Sequence, residues 1–306
     1  MNEQYLKLFD KIDFHRIIDH PNILIAAAFW EDDRYQAARM CYKYMRAIDD
    51  LIDCHKSVHT MIAENEKNLF IDSVNTWIDQ INHPKNLTEN NELIETIRNF
   101  HIPLWPLQTF ATSMIYDIHN SGFPTIDSFI EYSQGASVAP ASIFVHLNGL
   151  TQNGKGYRAP AFDVKNAATP CAMFSYIVHI IRDFEKDHKN HLNYFADDVI
   201  AQNGLTPDDL KKIAHGAPVT PGFRNMIRTY YDLADGYRQQ TFEVIKLISP
   251  HLEPRYRLSL LIIFNLYLMV YERINVEKGD FTTEALNPTS SEIKKRVYDT
   301  IAGFRE

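Results

Sequence analysis

Apolar positions along the chain recur mostly three and four residues apart, the spacing of helices packed on one face. Breakers divide these stretches at His83-Pro84, Pro103 to Pro106, Ser121-Gly122-Phe123-Pro124, Gly154 to Pro160, Gly204 to Pro207, Gly216 to Gly222, Pro250 to Pro254 and Pro288. Thr206-Pro207-Asp208-Asp209 has a capping threonine, a proline at the first helical position and acids in the first turn. Thr169-Pro170 reads as a start of the same kind. About ten or more helices and almost no sheet are expected. With no linker composition, repeat or low-complexity segment, a single all-α domain over residues 1–306 is the economical reading.

Composition narrows the function classes. The 306 residues are 45% hydrophobic and 23% charged, which excludes disorder and allows a sizeable core. Glycine, at 11 residues, is about half its usual share and argues against a β-rich fold. The net charge of −8 argues against a nucleic-acid partner, which requires a basic face. Cys41, Cys54 and Cys171 are odd in number and lack metal-ligand spacing, as expected of buried thiols in a reducing compartment. Met1 to Asp13 mixes charged and apolar residues and does not read as a signal peptide. The most apolar run, Leu258 to Tyr271, contains Asn265 and falls short of the about 20 residues that a membrane span requires. A cytoplasmic protein is expected. Peripheral contact with a membrane and the oligomeric state are left open.

Two helical stretches carry the chemistry. Asp33 to about His55 reads DRYQAARMCYKYMRAIDDLIDCH, and about Cys171 to His188 or beyond reads CAMFSYIVHIIRDFEKDH. At about 100° per residue, Tyr42, Arg46, Asp49 and Asp53 share a stripe roughly 60° wide, with Asp50 further round. Asp49 and Asp53 lie one turn apart, where like charges repel. Ile48, Leu51 and Ile52 mark this helix as packed, so a cation is expected to offset the repulsion. The second helix repeats the pattern with Asp183 and Asp187, with His179 one turn earlier and Arg182 on another side. One such pair alone reads as a solvated acidic face. Two pairs in apolar helices can hold Mg²⁺, which takes a few carboxylates and completes its shell with water and phosphate oxygens.

Other constellations carry less. Glu185-x2-His188 has the spacing of di-iron bundles but no second copy. His188 and His191 read instead as a solvated polar helix end. Cys41 and Cys54 read as packing residues, and Trp30, Trp77 and Trp105 as core or helix-junction residues. No phosphate-binding glycine loop or nucleophile elbow is present.

The motifs in their order resemble the squalene/phytoene synthase family, the head-to-head prenyl synthases. The resemblance rests on Tyr42-x3-Arg46-x2-Asp49-Asp50-x2-Asp53 and on Arg182-Asp183-x3-Asp187 followed by Tyr194-Phe195. Tyr132-Ser-Gln-Gly135-Ala-Ser137-Val138-Ala139 is similar to the family's central helix with its break. Tyr267-x3-Tyr271-Glu-Arg273-Ile274, then Gly279-Asp280-Phe281, is similar to its last core helix. The resemblance covers about residues 20–300 and implies an isoprenoid-synthase-type helical bundle around a central cavity. It implies Mg²⁺-dependent condensation of prenyl diphosphates such as farnesyl diphosphate, with Asp49, Asp53, Asp183 and Asp187 as metal ligands on two walls. Tyr42 joins them as catalytic. Arg46, Asp50, Arg182, His179, Tyr132, Tyr194 and Tyr267 are implied to bind substrate. Whether NADPH serves a reductive second step is left open.

Departures from the family pattern thin the phosphate grip. Tyr176 and His179 stand where a Gln and an Asn are usual, Leu192 replaces an Arg, and Ala136 and Ala139 replace two glycines before Pro140. Thr282, Thr283 and Glu284 follow Phe281 where basic residues are expected. His179 has three readings: a hydrogen-bonded buried ring, a substitute for the Asn beside metal or diphosphate, and a base that quenches the cation. A donor to phosphate or a base titrates near neutrality. Two rival functions follow: a single-substrate prenyl diphosphate enzyme (terpene cyclase or prenyl diphosphate phosphatase), and an inactive binding protein of the same fold.

Overall fold

The structure, a computed structural model, describes residues 3–14, 22–59, 61–83, 92–154 and 156–305. Helices α1 (Glu3–Phe9) and α2 (Asn22–Ala27) precede the long α3 (Asp32–His59), followed by α4 (Glu64–Asn82), α5 (Glu92–Asn99) and α6 (Trp105–His119). Pro84, part of the expected break after α4, lies outside the described residues. Next come α7 (Ile126–Ser133), a π-helical turn (Gln134–Val138), α8 (Ala139–Gly149) and a hairpin of β1 (Thr151–Asn153) with β2 (Gly156–Arg158). The chain continues through α9 (Val164–Arg182), α10 (Phe184–Lys189), α11 (Asp197–Gln202), α12 (Pro207–Ala214) and the long α13 (Pro221–Ile248). A 3₁₀ turn (Ser249–His251), α14 (Pro254–Tyr271), α15 (Thr283–Leu286) and α16 (Ser290–Gly303) complete the chain.

Local chemistry explains many of these starts. Thr206 and Asp209 form a reciprocal capping box at α12, and Thr289 and Glu292 form another at α16. Thr169-Pro170 is not a start. Helix α9 begins earlier, where the Asp163 side chain accepts from Asn166 N at 2.9 Å, and Pro170 is buried inside it. The Thr169 hydroxyl donates back to Lys165 O at 2.7 Å, as a mid-helix threonine does.

One apolar cluster gathers α1 to α6, α8, α14 and α16, and a second gathers α7 and α9 to α14. Helix α9 lies along α13, and α14 packs against α2, α9 and α16. The apolar run of α14 is thus core, and Asn265 donates to Thr300 Oγ1 on α16 at 3.1 Å. Among the described residues no helix is long and apolar enough to cross a membrane. At the start of α3, buried Arg34 donates to Leu147 O at 3.0 Å and lies over the rings of Tyr157 and Tyr256. Leu51 does not mark the packed side of α3: it is exposed, and Ile48 and Ile52 face the core. Cys41 is buried, whereas Cys54 is exposed, contrary to the expectation of buried thiols. Trp30 donates to Ser259 Oγ at 2.9 Å, Trp77 is core, and Trp105 opens α6.

The π turn sits where the sequence carries its Gly-Ala-Ser-Val break. It brings Gly135 so close to α6 that a Cβ would fall 2.2 Å from Ser113 Oγ and 2.3 Å from Thr109 O. Gly135→Ala is therefore expected to cost about 1–3 kcal/mol by forced overpacking, read from urea unfolding. An unchanged unfolding midpoint would show that α6 yields freely.

His146, buried in α8, shares a 2.9 Å hydrogen bond with Phe100 O. Burial pushes its pKa below the ordinary value, against that hydrogen bond and together with nearby His101. The unfolded chain takes up this proton near pH 6.5, the native ring only at lower pH. The unfolded state thus binds more protons below about pH 6.5, and native stability falls as the pH drops through that value. Urea midpoints should show a steeper fall from about pH 7.5 to about 5.5 in the wild type than in His146→Gln. Parallel slopes would remove His146 as a source of this dependence.

Candidate active site

The first acidic wall is built on α3 and completed by α6. Burial raises Asp49 and Asp53 above the usual carboxylate range; Asp117 and Asp50 add to this at Asp49 against the pull of Arg46, and Asp49 and Asp117 add to it at Asp53 against Lys56 and Arg46. Arg46 donates to Asp49 Oδ2 at 3.0 Å and to Asp50 Oδ1 at 2.6 Å, so both chain neighbours of the motif share one guanidinium. Arg46 is half exposed and remains open to exchange. Tyr42 lies one turn before Arg46, its phenol pushed up by burial.

Asp117 is the functional neighbour that the motifs do not announce. It is buried and held on both oxygens: Lys56 Nζ donates to Oδ1 at 2.7 Å, and the Tyr132 hydroxyl donates to Oδ2 at 2.7 Å. Lys56 also donates to Asp117 O at 3.2 Å and Asn120 O at 3.0 Å, so its ammonium is fully engaged. The available signal was a lone acid in the apolar stretch Phe110 to Ile118. Tyr132, expected beside substrate, is buried and commits its hydroxyl to Asp117.

The second wall differs from the expected continuous helix. The backbone leaves helical geometry at Asp183 (φ −92°, ψ 6°), where α9 ends and α10 begins. This kink lets adjacent side chains meet, and Arg182 does not point elsewhere. Its Nε donates to Asp183 Oδ1 at 2.6 Å and its Nη2 to Oδ2 at 2.9 Å. His179 Nε2 reaches the same Oδ2 at 2.7 Å. Asp183 is only 6% exposed. Despite burial, Arg182 and His179 hold its carboxyl well below the usual range. Asp187 is the opposite case, pushed up to about 7 by burial and by Asp183. The two pairs are thus not four equivalent carboxylates.

Burial and Arg182 lower the His179 pKa against the pull of Asp183, although nearly half of the side chain (46%) is open to solvent. Its Nε2–H donates to the carboxylate. His188 is likewise not solvated: it is buried, shares a 3.0 Å bond with Phe184 O, and has its pKa lowered to about 4 by burial. Glu185 pairs with Lys189 at 2.7 Å and accepts from Thr283 N at 2.6 Å, so the ExxH residues are spent on structure.

The two walls meet at tyrosines. The phenols of Tyr176 and Tyr194 are held far above their ordinary range by burial, and both feel the carboxylates of Asp53, Asp117 and Asp187. Their rings meet edge to face at 6.4 Å. Tyr267, from α14, is raised to about 12 by burial and lies in the field of Arg182, Tyr42 and Asp183. Residues from α3, α6, α9, α10 and α14 therefore lie within electrostatic reach of one another.

The donor chemistry of Asp49, Asp53 and Asp187 fits a hard divalent cation: all are oxygen donors, and their pKa values are raised first by burial and further by neighbouring carboxylates. Asp183 differs from these three: its carboxylate already accepts three hydrogen bonds from Arg182 and His179, which leaves one lone-pair position on Oδ1. Among the described residues no three His, Cys, Asp or Glu side chains enclose a metal site by themselves. Mg²⁺ held through one or two carboxylates and substrate phosphates requires no such enclosure.

The almost wholly helical architecture places the chain among the isoprenoid-synthase-type helical folds. The profile described as Squalene/phytoene synthase matches residues 21–295, and the chain belongs to that family. Phytoene synthase 1, chloroplastic, of Solanum lycopersicum is 21% identical over 183 residues, 58% of this chain and 41% of the relative. Phytoene synthase, chloroplastic, of an Oncidium hybrid cultivar is 20% identical over 213 residues, 68% of this chain and 48% of the relative. The matches thus span about half or less of these curated relatives' length. A dehydrosqualene synthase solved with a ligand shares the fold with TM-score 0.69 at 16% identity, over 99% of both chains. Squalene synthase HpnC from Alicyclobacillus acidocaldarius gives 0.55 at 12% identity, over 89% of this chain and 98% of the other.

Lys56 is the buried counter-ion of the first wall. Lys56→Met is expected to cost about 3–5 kcal/mol, because it leaves Asp117 buried without its cation. The double variant Lys56→Met/Asp117→Asn should recover a large part of that loss in urea unfolding. Additive losses would mean that the two side chains do not act as a pair.

Proposed function

We propose that the protein is a Mg²⁺-dependent prenyltransferase of the squalene/phytoene type, condensing two prenyl diphosphates such as farnesyl diphosphate head to head. The observation that carries this reading is the set of carboxylates with raised pKa values, Asp49, Asp53 and Asp187, gathered around Tyr176 and Tyr194. Asp49 and Asp53 would hold the metal on one wall and Asp187 on the other. Bound there, Mg²⁺ would supply charge stabilisation for the departing diphosphate. Arg46, half exposed, exchanges its own-helix partners for phosphate oxygens as negative charge develops on them. The aromatic faces of Tyr42, Tyr176, Tyr194 and Tyr267 offer electron-rich walls to an allylic cation while limiting the water that would trap it.

A specific observation supports a second reading, a single-substrate enzyme that ionises one diphosphate. Asp183 is committed to Arg182 and His179, which leaves the second wall one free carboxylate. Thr282, in a position expected to be basic, caps α15. Both features reduce the capacity to hold a second diphosphate.

Incubation with labelled farnesyl diphosphate and Mg²⁺, with and without NADPH, separates the readings. A thirty-carbon hydrocarbon or cyclopropyl diphosphate supports condensation. A fifteen-carbon cyclised product, alcohol or free prenol supports the second reading, and binding without turnover supports a non-catalytic protein. Asp49→Asn is expected to weaken metal-dependent turnover by about 10–100-fold while the circular dichroism stays native. Undiminished turnover of Asp49→Asn in the presence of chelator would overturn the metal-dependent site.

A further inference from the structure

The side chain of Asp183 already accepts three hydrogen bonds from protein partners. Its Oδ1 accepts from Arg182 Nε at 2.6 Å, and its Oδ2 accepts from Arg182 Nη2 at 2.9 Å and His179 Nε2 at 2.7 Å. It sits at the kink between α9 and α10, with its own N–H bonded to His179 O at 2.9 Å. The backbone thus fixes this residue from the same turn that supplies both side-chain partners. A metal ion binding to Asp183 would have to use the one remaining lone pair of Oδ1, beside the guanidinium's own positive charge, or else displace the guanidinium fork or the imidazole donor. Two charge-assisted bonds from one Arg are among the stronger interactions available to a carboxylate. Asp187 has no comparable partner: Lys186 and Arg182 act on it only through their fields, and burial and Asp183 dominate.

The same geometry defines what the cluster presents. With Nε and Nη2 turned to Asp183, the Nη1 end of Arg182 makes no hydrogen bond among the described residues. The side chain is 18% exposed and lies in the mutual field of Tyr267 and Asp187. An arginine clamped along one edge offers its remaining N–H groups in a fixed direction, with little conformational freedom left to lose on binding.

We propose that in this chain Asp183 is not a ligand of the divalent cation but, locked by His179, the clamp that positions Arg182 toward the substrate diphosphate, leaving Asp187 as the cation's ligand on the second wall. His179 and Asp183 are then positioning residues, and Arg182 is the group that touches substrate. This inference rests on the prenyl diphosphate reading above.

The test is calorimetric titration of Mg²⁺ into protein saturated with a non-hydrolysable farnesyl diphosphate analogue, and of the analogue into protein at saturating Mg²⁺. Asp183→Asn is expected to keep Mg²⁺ affinity within about threefold of wild type, whereas Asp187→Asn weakens it by about tenfold or more. Asp183→Asn leaves buried Arg182 without its counter-ion and risks unfolding. The near-isosteric pair Arg182→Gln/Asp183→Asn removes both charges together. That double variant is expected to retain Mg²⁺ affinity and to lose analogue affinity by about 10–100-fold, the loss of a charge-assisted contact. A Mg²⁺ affinity in the double variant that falls as far as in Asp187→Asn would overturn the proposal while leaving the diphosphate reading intact. Analogue binding by the wild type that is indifferent to Mg²⁺ would overturn both.

Discussion

Burial of like charge is the constraint around which the site is organised. Five carboxylates, Asp49, Asp53, Asp117, Asp183 and Asp187, are brought within reach of the same buried tyrosines and of one another in a helical bundle. Each must be paired, shifted toward its neutral form, or offset by something that binds. The protein uses dedicated cations for two of them. Lys56 and Tyr132 hold Asp117, and Arg182 with His179 holds Asp183. Asp49 shares Arg46 with Asp50, and Asp53 and Asp187 are shifted toward their neutral forms by burial and by neighbouring carboxylates.

The packing of the bundle serves this division. Lys56 lies one helical turn beyond Asp53 on α3, yet its ammonium is consumed by the end of α6, so it screens the first wall without closing it. Tyr132 ties α7 to the same carboxylate, and the close approach of Gly135 to α6 keeps the π turn at the distance this bond requires. On the other side, α9 gives way to α10 at Asp183, and Arg182 pairs with its chain neighbour there. The two walls thus differ in character. One is a set of acids around a shared arginine, and the other pairs a clamped arginine with a single free acid.

Much of this was legible in the amino-acid sequence. Helical periodicity, the caps at Thr206 and the scarcity of glycine determined an all-α chain, because these signals act within one or two turns and require no distant partner. The i,i+4 spacing of Asp49 with Asp53 placed both on one face of a continuous helix, and α3 is that helix. The order of the motifs identified the family, since the spacing of several chemically constrained residues is itself sequence information.

Tertiary structure decided the pairing of charges. Asp117 and Lys56 stand 61 residues apart, and no local pattern says that their charges meet in the interior. Thr169-Pro170 has the local chemistry of a helix start, but the Asp163 cap and the apolar burial of α9 outweighed it. His188 reads as a polar helix end until the packing of Phe184 and Phe195 around it removes it from water. Asp183 and Asp187 have the same spacing as the first pair, yet a kink that periodicity alone does not reveal gives one of them two partners and the other none of comparable strength. Sequence determines which charges are available and which face of a helix bears them. The energy of a buried charge depends on distances across the fold, and only the packed structure sets those.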